Sequence, residues 1–163
     1  MSTHAATGAM RLLRARHALA ELRDPEIPTV GILELGMLHD LREEGDVLVV
    51  EILPTFSGCP ALPVIVDEVT AALENAGLAP VRVVTRTDLP WSTEMITDTG
   101  RRQMATFGIV PPQQRRLVVE EITCPQCHQR NVALVSRFGP TPCRATARCR
   151  NCGEPLEVFK PIG

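Results

Sequence analysis

Five of the six cysteines in this 163-residue chain fall between residues 124 and 152. Four of these five form two Cys-x-x-Cys pairs: Cys124 with Cys127 in "ITCPQCHQRN", and Cys149 with Cys152 in "ARCRNCGEP". This spacing constrains the fold more than any other feature. Each pair can close a tight turn whose backbone amides point at the thiolates, and four thiolates suit tetrahedral zinc. The tail from residue 117 is rich in Cys, Gly, Pro and Arg and lacks helical periodicity. A module of that size and composition cannot hold itself together by burial, whereas metal binding contributes about 10–16 kcal/mol in comparable modules. The loop between the pairs has 21 residues, slightly more than the usual ~15–20, and its "VALVSRFG" reads as a strand. The expectation is a small β-rich zinc ribbon over residues 117–163.

Other chemistries compete for the same sulfurs. Iron satisfies a four-thiolate site as zinc does. "CPQCH" matches c-type haem attachment, but that chemistry needs an exported protein and a haem pocket, and here a second pair awaits a metal. Cys143, in "TPCRATARC", is a fifth thiol close to the site. It reads as a displaceable ligand, a second metal site or a buried small residue, and both pairs are complete without it. His128 follows the first pair and is read as solvent-exposed or as supporting a ligand.

The bulk numbers set the class. A hydrophobic fraction of 44% with 22% charged residues fits a folded globular chain. A formal net charge of -2 provides no global field toward nucleic acid or an anionic membrane. The N-terminal stretch lacks a signal peptide's apolar run, and no segment approaches the ~18 apolar residues of a membrane span. The expected location is the cytoplasm, where thiols stay reduced, so the cysteines read as metal ligands or reactive thiols. Arg130, Arg137, Arg144, Arg148 and Arg150 crowd the tail, but Phe138 and Phe159 are its only aromatics. A nucleic-acid stacking platform would want more, so these arginines read as a solvated or protein-contacting face.

Ahead of the tail the pattern changes. "RLLRARHALAEL" sets Leu12, Leu19 and Leu22 close to one helical face, and the prolines of "DPEIP" end that helix. "MLHDLREEGDVLVVEILP" reads as a hairpin turning at "EEGD". Residues 60–76 read as a helix burying Leu62, Ile65, Val66, Val69, Ala72 and Leu73, stopped by Gly77. "PVRVVTRTD" is a third strand. Residues 92–107 read as a weaker helix capped by Ser92, and "GIVPPQQRR" as a linker. This order predicts an α+β domain over residues 1–112, a small mixed sheet with helices on one face, with the boundary near residues 110–117.

The sixth cysteine stands alone in "FSGCPAL". Pro60 and Pro63 both fit a helix's first turn, placing Cys59 at or just before an N-terminus. There the helix dipole and open amides favour a thiolate, which is a nucleophile or a soft-metal ligand. A buried small residue is the bland alternative.

A family resemblance separates the two. "DPEIPTVGILELGML" followed by "PTFSGCPAL" resembles the iron–sulfur assembly domain of SufT-type proteins, with its Asp-Pro-Glu loop, Leu-Gly segment and Cys-Pro at a helix start. "LPWSTEMITDTGRRQMATFGIVPP" and "FGPTPCRATARCRNCGEPLEVFKPIG" are similar to the PaaD family, the D components of bacterial phenylacetyl-CoA epoxidase systems in aerobic phenylacetate degradation. The resemblance implies an accessory role without activity of its own: assisting iron–sulfur cluster assembly or delivery to the epoxidase's reductase component. It implies Cys59 as the functional thiol, with Asp24 and Glu26 as polar or metal-facing partners. One thiolate cannot hold a cluster that usually takes four. A transient cluster therefore requires a homodimer, client cysteines or small thiols. Trp91, Asp98, Arg101 and Arg102 lie in the segment of narrowest resemblance. They read either as a client-docking surface or as a packing tryptophan with solvated charges. Two further readings stay open. One is a structural or catalytic subunit of the epoxidase, for which no di-iron pair, nucleotide loop or catalytic triad is visible. The other is a zinc-ribbon adaptor that binds nucleic acid.

Overall fold

The computed structural model describes residues 2–112 and 116–163. They form two compact units, Met1–Pro90 and Trp91–Gly163.

The first unit runs α1 (Ser2–Ala20), β1 (Leu38–Glu44), β2 (Val47–Ile52), α2 (Leu62–Asn75) and β3 (Val81–Thr85). Its sheet has the order β1-β2-β3. β1 and β2 are antiparallel, with Glu44 opposite Val47. This register leaves only Gly45 and Asp46 for the turn, and Gly45 takes the positive φ of 61° that a two-residue hairpin demands. β3 returns parallel to β2 after α2, because a parallel return needs a crossover of about a dozen residues. The core is aliphatic, as a chain with few aromatics requires: Leu48, Val50 and Ile52 from β2, Ile65, Val69 and Leu73 from α2, Ala15 and Leu19 from α1. Arg11 of α1 reaches Glu43 at 3.2 Å and the Leu78 carbonyl at 2.9 Å, and Arg14 donates to the Ala76 carbonyl, tying α1 to the hairpin and to the end of α2.

β1, β2 and β3 also carry a network of charges. Arg42 bonds Asp40, Glu44 and Glu51, while Arg86 bonds Glu51 and Asp88, and Arg82 pairs with Glu44. Arg42 first, then Arg86, holds the Glu51 carboxyl below its ordinary range. Arg86 holds that of Asp88 down to about 2.

The stretch between α1 and β1, where a helix stop and, from the resemblance, an Asp-Pro-Glu loop were expected, is a loop rich in buried apolar residues. It buries Ile27, Val30, Ile32, Leu35 and Met37. Asp24 Oδ1 accepts from the amides of Glu26 and Ile27 at 2.9 and 2.8 Å, and the Asp24 amide donates to the Val30 carbonyl at 2.8 Å. A Cβ at Gly31 would meet the ends of the Glu34 and Arg23 side chains, which would have to shift aside.

The second unit contains α3 (Asp98–Thr106), β4 (Ile109–Val110), β5 (Val132–Ser136), β6 (Arg144–Cys149) and β7 (Pro155–Phe159), with short 3-10 turns at Thr93–Met95 and Val119–Glu121. Its sheet has the order β4-β7-β6-β5. The helix expected over residues 92–107 is broken. Ser92 caps only the Thr93–Met95 turn, Ile96 and Thr97 are extended, and Thr97 caps α3 by accepting from the Gly100 amide. The expected boundary near residues 110–117 falls inside this unit. Residues 91–112 belong with the tail for three reasons: β4 pairs with β7, Trp91 packs on Phe159, and the Thr93 amide donates to the Ile162 carbonyl at 2.9 Å.

Candidate metal centre and thiol site

The two Cys-x-x-Cys pairs fold into equivalent turns. The His128 amide donates to the Cys124 carbonyl, and the Gly153 amide to the Cys149 carbonyl, both at 2.9 Å. The Cys124 amide donates to Gln129 and the Cys149 amide to Glu154, at 3.0 and 2.9 Å. Each turn closes on a residue with positive φ, His128 at 57° and Gly153 at 81°. Glycine takes that conformation freely, whereas for histidine it is strained. Sequence reading placed His128 near the ligands and missed this role. The signal was available, since Gly153 holds the matching position after the second pair.

These turns bring the four sulfurs within 4.8 Å of one another. Cys124 and Cys152 Sγ are 3.7 Å apart, and Cys127 and Cys149 Sγ 3.6 Å. A tetrahedral site with Zn–S bonds of about 2.3 Å has sulfur–sulfur edges of about 3.8 Å, so the donor set fits such an ion. Cys124 and Cys149 are buried, and Ile122, Ala147 and Leu156 pack with them as part of the second unit's core. The Gln129 amide, above all, draws the Cys127 thiol down to about 7. The Glu154 amide acts on Cys152 in the same sense. There desolvation and the neighbouring sulfurs prevail and push the thiol up to about 12. Thiolates this close repel one another, and a dication between them removes the conflict.

Cys143 stands apart from this cluster. It is half-buried, its Sγ lies 3.1 Å from Thr141 Oγ1, and its carbonyl accepts from the Lys160 amide. Arg144 is held against Glu157 at 2.6 Å and donates to the same Thr141 hydroxyl at 2.8 Å.

Cys59 is half-buried in the turn between β2 and α2, with Phe56, Ser57, Gly58 and Pro60 exposed around it. Its amide donates to the Phe56 carbonyl at 3.0 Å and its carbonyl accepts from Leu62 at 3.2 Å. α2 starts at Leu62 behind Ala61, and no side chain caps it. The thiol thus belongs to the turn just before the helix, near the pole that favours an anion. Phe56 and Val64, both exposed, give that turn an apolar flank.

Asp24 is buried, and its Oδ1 is engaged by two amides; Glu26 beside it is half-buried. Asp24 lines a groove with Glu68, Ala71 and Asn75 of α2. Glu68 is already about 9 Å along the helix from Leu62, at 1.5 Å per residue. The structure therefore sets Asp24 along the C-terminal half of α2 and Cys59 at its N-terminal end. Trp91 is buried, with its ring 6.2 Å from that of Phe159. Arg101 donates to the carbonyls of Thr93 and Pro112, while Asp98 and Arg102 are exposed. Among the described residues, no helix is long and apolar enough to cross a membrane.

Comparison with known proteins assigns the two ends of the chain to two different families. The family described as an iron–sulfur cluster assembly protein matches residues 14–85, and the PaaD zinc beta ribbon domain matches residues 110–160. The chain is 36% identical to component D of the "Putative 1,2-phenylacetyl-CoA epoxidase" of Escherichia coli (strain K12), over 88% of this chain and 89% of that protein. It is 42% identical over 59 residues to the "Fe-S protein maturation auxiliary factor YitW" of Bacillus subtilis (strain 168), a match that covers 36% of this chain and 57% of that one. In structure it is similar to a domain of unknown function, DUF59, from Bacillus anthracis. That match has a TM-score of 0.56 at 25% identity and covers 62% of this chain and 97% of the other. The relationship supports an accessory role in iron–sulfur function, and the four-cysteine cluster can bind a metal such as zinc.

Proposed function

This chain belongs to the PaaD family, and from that premise we propose that it is a maturation factor for a multicomponent oxygenase. In this reading it helps assemble or deliver an iron–sulfur cluster to the reductase component of a phenylacetyl-CoA epoxidase. The observation that carries the reading is the setting of Cys59. The thiol is half-buried rather than sealed in the core, lies at a helix start, and falls within the stretch matched by the iron–sulfur assembly family. A single half-buried sulfur outside the core suits a ligand that binds iron and then yields it, because a cluster fully enclosed by four ligands of one chain would not leave. The remaining ligands come from the recipient's own cysteines, a second copy of the chain or small thiols.

The tail has a different task. Cys124, Cys127, Cys149 and Cys152 hold a structural zinc ion, which supplies a rigid tetrahedral centre and no redox chemistry. Asp24 caps the loop after α1 and lies along the C-terminal half of α2, so the reading rests on Cys59 rather than on Asp24 or Glu26. Asp98 and Arg102 are the exposed members of the segment that reads either as a client-docking surface or as a packing tryptophan with solvated charges.

The test is to produce the reductase alone, beside this chain, and beside its Cys59→Ser variant. The expected outcome is an iron-deficient reductase in the first and third cases and a loaded one in the second. The variant should keep its fold and zinc. A reductase fully loaded beside the variant would falsify this role for Cys59.

A further inference from the structure

A groove of about 620 Å³ opens in the second unit beside β5, away from the four sulfurs. Its floor is apolar, with Leu117 and Leu134, and its rim carries Arg116, Arg137 and Lys160. No acidic residue lines it. The charges elsewhere differ: Arg42, Arg82, Arg86 and Arg144 all lie against carboxylates, whereas the three rim cations have no ion pair among the described residues. Phe138 stands at the edge, 82% exposed, with Lys160 Nζ 5.9 Å from its ring centroid. An exposed aromatic side chain and an apolar floor beside unneutralised cations form the kind of surface that anchors a protein partner.

We propose that this groove docks a carboxylate-bearing segment of the recipient iron–sulfur protein, one that inserts an apolar side chain between Leu134 and Phe138 while its acids meet Arg116, Arg137 and Lys160. This inference rests on the maturation reading above and assigns the docking to the zinc-ribbon unit rather than to the unit that carries Cys59. The charge pattern selects the occupant: within the groove Arg116, Arg137 and Lys160 meet no acid among the described residues, although Arg116 lines a neighbouring pocket with Glu121, so the groove itself wants an anionic partner. The apolar floor distinguishes a peptide from a free phosphate. A single-stranded nucleic acid would need successive stacking surfaces, and the groove offers one ring.

Lys160 is the sole lysine of the chain, which makes the contact addressable. Carbodiimide coupling joins an amine to a carboxylate at zero length. In a mixture with the reductase it should link Lys160 to an Asp or Glu of that protein. The double variant Arg137→Glu/Lys160→Glu should weaken binding to the reductase at least tenfold. Phe138→Ser changes a side chain in solvent and should weaken binding several-fold with the zinc content unchanged. Raising salt from 50 to 200 mM should weaken the wild-type complex and barely affect the double variant. Wild-type affinity in both variants and no Lys160 cross-link would overturn the groove. So would displacement of the reductase by an oligouridylate bound at Phe138. If the reductase still needs Cys59 for its iron while the groove variants bind and deliver normally, only the docking inference fails. If the reductase neither binds this chain nor needs it for iron, the maturation reading fails and takes the groove with it.

Discussion

The two units handle sulfur in opposite ways. In Trp91–Gly163 four thiols are drawn together by matched backbone turns, and two of them are buried with Ile122, Ala147 and Leu156. In Met1–Pro90 a single thiol sits half-open in a turn, and the fold around it stands on aliphatic burial. The second unit packs Val110, Ile122, Leu156 and Val158 against Cys124 and Cys149, and an ion held by the four sulfurs would tie its two turns together. The first unit has a sheet and two helices, and Cys59 lies outside its buried core. In the proposed reading, four convergent ligands keep a structural metal while the single half-buried Cys59 sulfur binds iron and yields it.

The sharpest way to break this contrast is to remove the metal. Chelation, or Cys149→Ser, should forfeit most of the ~10–16 kcal/mol that such sites supply. Hydrogen exchange should then rise across residues 91–163 while α2 and β2 keep their protection. Loss of protection in both units would erase the distinction. The reciprocal experiment truncates the core of the first unit. Leu73 is fully buried on α2, and Leu73→Ala should cost about 2–5 kcal/mol in denaturant unfolding of that unit, with metal content unchanged.

A third test uses acid. The folded-state pKa of Glu51 is depressed by Arg42 and Arg86. Its stabilising contribution is therefore complete above the ordinary carboxylate range and is lost as pH falls through the lowered value. The loss extends toward the pKa of about 2 at which Arg86 holds Asp88. In urea titrations from pH 6 to pH 2, the wild-type midpoint should fall, and Glu51→Gln should start lower and fall less. Parallel curves would remove Glu51 from the acid response. The smallest expected effect is a gain. His128 occupies at φ 57° the position that Gly153 fills in the second turn. His128→Gly should stabilise the ribbon by about 1 kcal/mol, the cost of a left-handed non-glycine residue less glycine's entropy, seen as slower loss of metal to a chelator.

The ribbon was readable in the sequence because its ligands come in local pairs whose turns depend on residues within five positions. Strands β1, β2 and β3 and helix α2 were readable for a similar reason: their apolar periodicity is local and the turn at Gly45 is short. Three things were not. The loop from Asp24 to Met37 carries no regular period, and it is ordered by an aspartate cap and apolar side chains that find partners far along the chain. The division of the units depends on β4 pairing with β7, in which Val110 meets Val158, and no local pattern announces that contact. The helix after Trp91 broke because Ser92 and Thr97 both offer side-chain caps, and sequence alone does not say which amides they take. Cys59 was located to within a few residues of a helix start. Its half-exposure follows from the turn it occupies, in which Phe56, Ser57, Gly58 and Pro60 are exposed.

The most direct measurement is anaerobic. Purified chain is mixed with ferrous iron and sulfide, and its visible spectrum and metal content are followed in the wild type, in Cys59→Ser and in Cys149→Ser. Sulfide-to-iron absorption that vanishes in Cys59→Ser while that variant keeps one zinc per chain, and that survives in the Met1–Pro90 unit of Cys149→Ser, is the predicted result. Absorption that persists without the Cys59 sulfur, or that disappears only when the tail is broken, would contradict the account.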